Sequence, residues 1–357
     1  MASKPTFSVP SGGSAQVSII ETGMRMDDID LGFLLAPAVD SFEKISIPGW
    51  SILIQNSKGQ KVLFDLCFSP ERDTYPPGAW GLINAAGAAI KGTKHVADVL
   101  KENNVDPAEI SSVIWSHHHW DHIGDPTTFP KTTEVVVGPG FKKAYLPGYP
   151  TQKDAYIEER HFEGRTLREV DFSASSLKIG RFTALDFFGD GSFYLLDAPG
   201  HDWGHLNGLV RTTSNPDTFI FLGGDTVHHG GELRPTPYLP IPDEVNFPLP
   251  DHVRARGVSA CPKGSQFREL NVKRGRKPDH PFFDPVLVVD MADAVESIDK
   301  AQEADAQSNI FFVFAHDVSI QGVVDFFPLP ANEWKEKGWK EKHMWNFLGD
   351  MTLATTS

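Results

Sequence analysis

Short apolar runs rich in β-branched and aromatic residues recur along the chain, set off by Gly, Pro, Asn or Asp. They are Trp50–Ile54, Val62–Phe64, Val113–Trp115, Glu134–Val137, Phe193–Leu196, Phe219–Leu222 and Ile310–Phe314. Runs this short and this apolar predict buried strands. Between some of them the period changes. His95 to Asn103 places Val96, Val99 and Leu100 at helical spacing, and Met291 to Ala304 does the same with Met291, Ala294, Val295, Ile298 and Ala301. Each stripe predicts one buried helix face. Strands, then helix-plus-strand units, then strands again predict layered α/β packing.

Two stretches break the pattern. Residues 140–190 are polar and mixed. Residues 229–285 hold ten of the 27 prolines. Long proline-rich segments inside a domain serve as lids or exposed loops, so 229–285 is expected to be a lid over a site, a cover on the core, or a homodimer contact. From Pro328 onward, Trp334, Trp339 and Trp345 sit in a Lys/Glu-rich pattern that predicts a helical tail over 328–357. With no internal repeat and no low-complexity linker, residues 1–357 read as a single enlarged domain.

Charge narrows the field. The 357 residues carry 33 Lys+Arg against 47 Asp+Glu, a net −14. A surface this acidic repels phosphate backbones and anionic membranes, so neither nucleic acid nor a membrane is the expected partner. No apolar run approaches the roughly 18–20 residues of a spanning helix. The opening residues show no apolar signal core, and Cys67 and Cys261 are too few for a disulfide framework. These features predict a soluble, cytoplasmic protein.

The histidines supply the chemistry. Ser116-His-His-His-Trp-Asp-His-Ile-Gly-Asp125 follows directly on the Val113–Trp115 strand. Side chains alternate along an extended segment, so His117 and His119 point one way and His118 the other. Asp121 and His122 follow where the chain turns. Three more candidates lie just after apolar strands: His201, Asp225 and His316. Neutral imidazole and carboxylate are the usual ligands of zinc and similar divalent metals.

In this order and at these separations, HxHxDH, PGH, GGD and AHD resemble the metallo-β-lactamase-fold hydrolase superfamily over roughly Ile52 to Asp317. The resemblance implies an α/β fold, specifically an αββα four-layer sandwich of two similar halves with metals at one sheet edge. It puts His117, His119 and His201 on one metal and Asp121, His122 and His316 on a second, with Asp225 bridging. Two divalent ions are therefore expected, zinc first, with iron or manganese as alternatives. Asp65 is expected to hydrogen-bond a ligand histidine, and His205 to support the site without being a ligand. Cys67 is expected to be packed and unreactive.

Within the superfamily, the best-known zinc β-lactamases use cysteine where Asp225 stands, and the flavo-diiron branch uses glutamate where His119 stands. Neither fits. The RNA-processing branch suits the ligands but not the charge. The ensemble looks closest to lactonase-like hydrolases. Quorum-quenching lactonases carry a substrate-orienting tyrosine three residues after the bridging aspartate, and His228 occupies that place here. His228 is thus a catalytic candidate for contact with the substrate carbonyl, or a plain loop histidine.

The expected reaction is attack on a cyclic ester or amide by a hydroxide shared between the metals, with Asp121 as proton shuttle. No GxSxG elbow is present to support covalent catalysis. Trp203, Tyr238 and Phe247 are candidate substrate contacts, and Trp120 is expected in the core. The substrate is expected to be a small, uncharged, hydrophobic or aromatic molecule. A thioesterase of secondary metabolism using the same site is the alternative enzyme, and a catalytically silent binding protein is the alternative of another class.

Overall fold

The computed structural model describes residues 3–92 and 94–355, so the last two residues of the expected tail lie outside them. Every predicted strand and both predicted helices form, with ends shifted by a residue or so at some boundaries and further where strands run on. The helices span Val96–Glu102 and Met291–Asp305.

Two sheets carry the architecture. In one, the spatial order is Ala89–Lys91, Gln16–Asp30, Lys44–Gln55, Lys61–Phe64, Ile110–Ile114, Glu134–Val137 and Leu167–Glu169. In the other it is Ile310–Val313, Thr218–Leu222, Leu206–Thr213, Phe193–Asp197, Phe182–Asp186 and Lys178–Ile179. Most neighbours are antiparallel. The last four strands of the first sheet are parallel, as are Thr218–Leu222 and Ile310–Val313 in the second. Each parallel step across a helix is a β-α-β unit, and the 229–285 insertion lies inside the one that ends at Ile310–Val313.

Burial on both faces explains why the strands read as continuous apolar runs rather than alternating ones. Ile52, Ile54, Val62, Phe64, Ile114 and Val136 meet Phe193, Leu195, Val210, Ile220 and Phe311 between the sheets. Their neighbours turn outward. Leu53, Leu63, Val113 and Val135 pack under the Val96–Glu102 helix. Leu196, Leu209, Phe221 and Phe312 pack under Ile298, Ala301 and Ala304 of the Met291–Asp305 helix. Helix, sheet, sheet and helix therefore stack as an αββα sandwich.

A further cluster lies beside the sandwich. The insertion contributes Ile241, Phe247, Phe267, Phe282 and Phe283, and the tail contributes Phe347, Leu348 and Met351. The tail forms one short helix, Trp339–His343, followed by 3-10 turns, and Trp334 is fully buried against the inter-sheet core.

Candidate metal centre

The candidate ligands sit at the carboxyl ends of strands, where an open α/β sheet exposes a crevice. Asp65 follows Phe64, the Ser116–His122 segment follows Ile114, Asp225 follows Leu222, and His316 follows Val313. His119 caps a one-turn helix, Trp120–Ile123, which swings Asp121 and His122 back toward the sheet. The turn closes only because residue 124 is glycine: at φ +49 a Cβ there would lie 2.5 Å from Leu66 Cβ.

All seven candidates converge in two groups. His117, His119, His201 and Asp225 form one; Asp121, His122 and His316 form the other; within each, the ligand atoms lie within 4.8 Å of one another. In the first, His117 Nε2 is 2.8 Å from His119 Nδ1, and His201 Nε2 is 3.2 Å from both. Asp225 sits between the groups. Its Oδ1 is 3.2 Å from His122 Nε2 and 3.3 Å from His316 Nε2, while its Oδ2 is 3.7 Å from both His117 Nε2 and His201 Nε2. Asp121 Oδ2 is 3.4 Å from His316 Nε2.

This donor set suits divalent cations. Bonds of about 2.0–2.1 Å to a tetrahedral zinc separate neighbouring donors by about 3.3 Å, close to the nitrogen spacings here. His122 Nε2 and Asp225 Oδ1 are buried without a hydrogen-bond partner. Outer nitrogens are tied elsewhere. His122 Nδ1 lies 2.9 Å from Asp65 Oδ2, His316 Nδ1 donates to the Pro48 carbonyl at 2.8 Å, and His117 Nδ1 lies 3.0 Å from Ser116 Oγ. Such ties fix the tautomer that leaves the inner lone pair free. Burial, then repulsion among neighbouring histidines, holds His117 and His201 well below the usual imidazole range. His119 is held down to about 3 for the same reasons. At neutral pH these rings are uncharged and can coordinate.

The expected supports are in place. Asp65, in a left-handed backbone conformation (φ 59), accepts from the Ser116 backbone at 2.7 Å as well as facing His122. His205 donates through Nδ1 to the Ala198 carbonyl at 3.0 Å, and its Nε2 accepts the Asp225 N–H at 2.9 Å. Cys67 is buried, and burial pushes its thiol up to about 12, so it is inert. Trp120 packs on Phe68 in the core and also lines a narrow slot beside His119 and Asp121.

The proposed substrate contacts fare differently. His228 reaches the site: its Nε2 is 3.3 Å from Asp225 Oδ2, and neither ring nitrogen has a hydrogen-bond partner. Trp203 does not. It is 57% exposed, beyond the cavities that touch the ligands. Tyr238 lines a separate groove with Arg276 and Glu303. Phe247 is buried against Phe267 because the insertion folds onto the core and spends its large side chains there. The insertion walls the site instead through Pro248, Pro250 and His252.

Several spaces border the candidate ligands. A cavity of about 730 Å³ runs past His228 and His316 and is bordered by Lys44, Asn346 and Asp350 among others. A slot of about 50 Å³ touches His119, Asp121, Asp225, His228 and His316 on one side; Ile29, Phe33, Ile47, Leu82 and Leu287 line the other. By type these slot residues match any core residue, so the sequence does not mark them. Glu232 also belongs to the site: its Oε2 accepts the backbone N–H groups of His228 (2.5 Å) and His229 (3.1 Å). The His-x-x-Glu capping box from His229 to Glu232 was the available signal.

An αββα sandwich with a paired His/Asp centre at one sheet edge defines a metal-dependent hydrolase. The chain belongs to the metallo-beta-lactamase superfamily, whose family model matches residues 47–253. It is 42% identical to the gamma-lactamase FDB1 of Fusarium pseudograminearum over 98% of this chain and 85% of that protein. It is 46% identical to the gamma-lactamase MBL2 of Gibberella moniliformis over 67% of this chain and 99% of that protein. Among solved structures, an N-acyl homoserine lactone hydrolase with N-hexanoyl-L-homoserine at its metal centre superposes with a TM-score of 0.57. That likeness covers 90% of this chain and 100% of that one at 17% identity, and shows the fold.

Proposed function

We propose that the protein opens a cyclic amide or cyclic ester, with His117, His119 and His201 holding one divalent ion, Asp121, His122 and His316 a second, and Asp225 shared. The carrying observation is the convergence of both groups on the two oxygens of Asp225. Two relatives named gamma-lactamase support a lactam over other cyclic substrates. Imidazole-rich donors favour zinc.

When bound, the ions supply Lewis acidity toward a carbonyl oxygen and lower the pKa of a nearby water. Asp121 borders the slot and has a second carboxylate oxygen, which takes the proton of the attacking water. It then passes that proton to the nitrogen or oxygen released as the ring opens. His228 borders both slot and cavity and donates to the carbonyl oxygen; Glu232 holds its backbone in place. The apolar slot excludes water and takes a small uncharged group of the substrate. The wider cavity, of a size usual for drug-sized ligands, takes the remainder.

The test is metal-free protein titrated with Zn²⁺ or Mn²⁺ and assayed on a panel of lactams and lactones. Metal-dependent ring opening is expected, and its absence across the panel would refute the reading. Faster thiol release from acyl thioesters would replace it with a thioesterase.

A further inference from the structure

His118 stands between two ligand candidates in sequence yet faces away from them. Its Nδ1 lies 2.6 Å from Asp202 Oδ2, and its backbone N–H donates to the same oxygen at 3.2 Å. The Tyr145 hydroxyl donates to Asp202 Oδ1. The imidazole lies flat on the Tyr145 ring, centroids 3.8 Å apart and planes 17° apart, and Tyr156 meets it edge-on at 5.1 Å. Asp202 is 1% exposed and immediately follows His201. One buried carboxylate thus joins the segment bearing His117 and His119 to the loop bearing His201.

The first group depends on such a tie more than the second does. In the second, His122 is backed by Asp65 and His316 by the Pro48 carbonyl. In the first, His201 Nδ1 is buried with no hydrogen-bond partner, so no bond from the outer side of that ring orients it. Its place is set by the loop that carries it. Backbone bonds from Val289 and Asp290 hold that loop on its other side, while the Asp202 bonds tie it to the 117–119 segment, and charge-assisted bonds in a dry interior are the strong ones.

We propose that Asp202, braced by His118 and Tyr145, is a positioning residue that holds His117, His119 and His201 at metal-binding distance while leaving the second group independent of it. The proposal rests on the ligand reading above. Its test uses Asp202→Ala and the near-isosteric Asp202→Asn, each confirmed folded by thermal melting, loaded with Zn²⁺ and challenged with chelators of graded affinity. One of two zinc equivalents is expected to bind about 10- to 100-fold more weakly. The other keeps wild-type affinity, and kcat falls with little change in KM. Tyr145→Phe should show a smaller loss at the same equivalent. Unchanged affinity of both equivalents in folded Asp202→Ala would overturn the clamp. Equal weakening of both would overturn it as well, by reducing Asp202 to a general structural role. An unmutated chain that takes up no zinc would instead sink the ligand reading itself.

Discussion

Asp121 is asked to do two jobs, and substitution can separate them. Asparagine keeps the shape and one metal-facing oxygen but cannot carry a proton. Asp121→Asn should lower kcat by about 10²–10⁴-fold, the usual worth of positioned acid–base catalysis, while the melting temperature stays near wild type. Turnover with metal content measured alongside checks this, and retained activity would remove the shuttle role. His118 makes the opposite prediction. Its ring faces Asp202 rather than the centre, so His118→Ala should still bind two equivalents at saturating metal. The backbone N–H at 118 still reaches Asp202 in that variant. Loss of a full equivalent by elemental analysis would mean that the ring is a ligand after all.

Strand ends deliver nearly everything the site needs, which is why so much of it was legible in the sequence. His117, His201, Asp225 and His316 each follow an apolar run, and such runs are the strongest local signal a buried strand gives. The strand alternation that sends Ile114 inward and Val113 outward stops at Ile114; residues 116–118 bend, and it is there that His118 turns away toward Asp202. The cavity walls were not legible. Pro248 and Pro250 reach the site while Phe247, the residue before them, fills the core, and only tertiary packing decides which. The tail was half legible. Its Lys/Glu-rich pattern around the tryptophans predicts helix, yet one of its anchors is polar. Lys340 is buried and donates to the carbonyls of Asp305 (2.5 Å), Gln307 (2.8 Å) and Ile310 (2.7 Å). It thereby caps the C-terminal end of the Met291–Asp305 helix, where a cation is favoured. Lys340→Met would take the ammonium donor from all three carbonyls, leaving Gln307 only the Ile310 N–H, and should cost about 2–4 kcal/mol in denaturant unfolding. Burial lowers the lysine to about 8. Between pH 8 and about 10.4 the unfolded chain binds more protons than the folded one. Lysine's contribution therefore rises with pH across that window, and the gap between wild type and Lys340→Met should widen there. A gap that narrows would mean that the folded chain holds this proton more tightly than the unfolded one, and would contradict the lowering by burial.

Both metal groups draw on both sheets. Each takes two residues from the 117–122 segment of the first sheet and its third from the second, His201 in one case and His316 in the other, with Asp225 also from the second. The chain's halves are therefore joined twice across the sheet edge, and bound cations would act as staples as well as catalysts. They would also offset buried acid in a chain whose net charge is −14, where Asp65, Asp121 and Asp225 all lie within the centre and are at most 9% exposed. A ligand present at a hundred times its Kd stabilises the folded state by about 2.7 kcal/mol, and in a chain of 357 residues each kcal/mol moves the midpoint by about 1–2 °C. Stripping the metal with a chelator should lower the melting temperature by several degrees, and restoring Zn²⁺ should return it. The inter-sheet core is complete without any ion, so the stripped chain should remain folded at room temperature and lose activity first. Differential scanning calorimetry with metal content measured on the same samples decides the matter. A melting temperature unmoved by confirmed removal of both equivalents would show that the two halves hold their register through the apolar core alone.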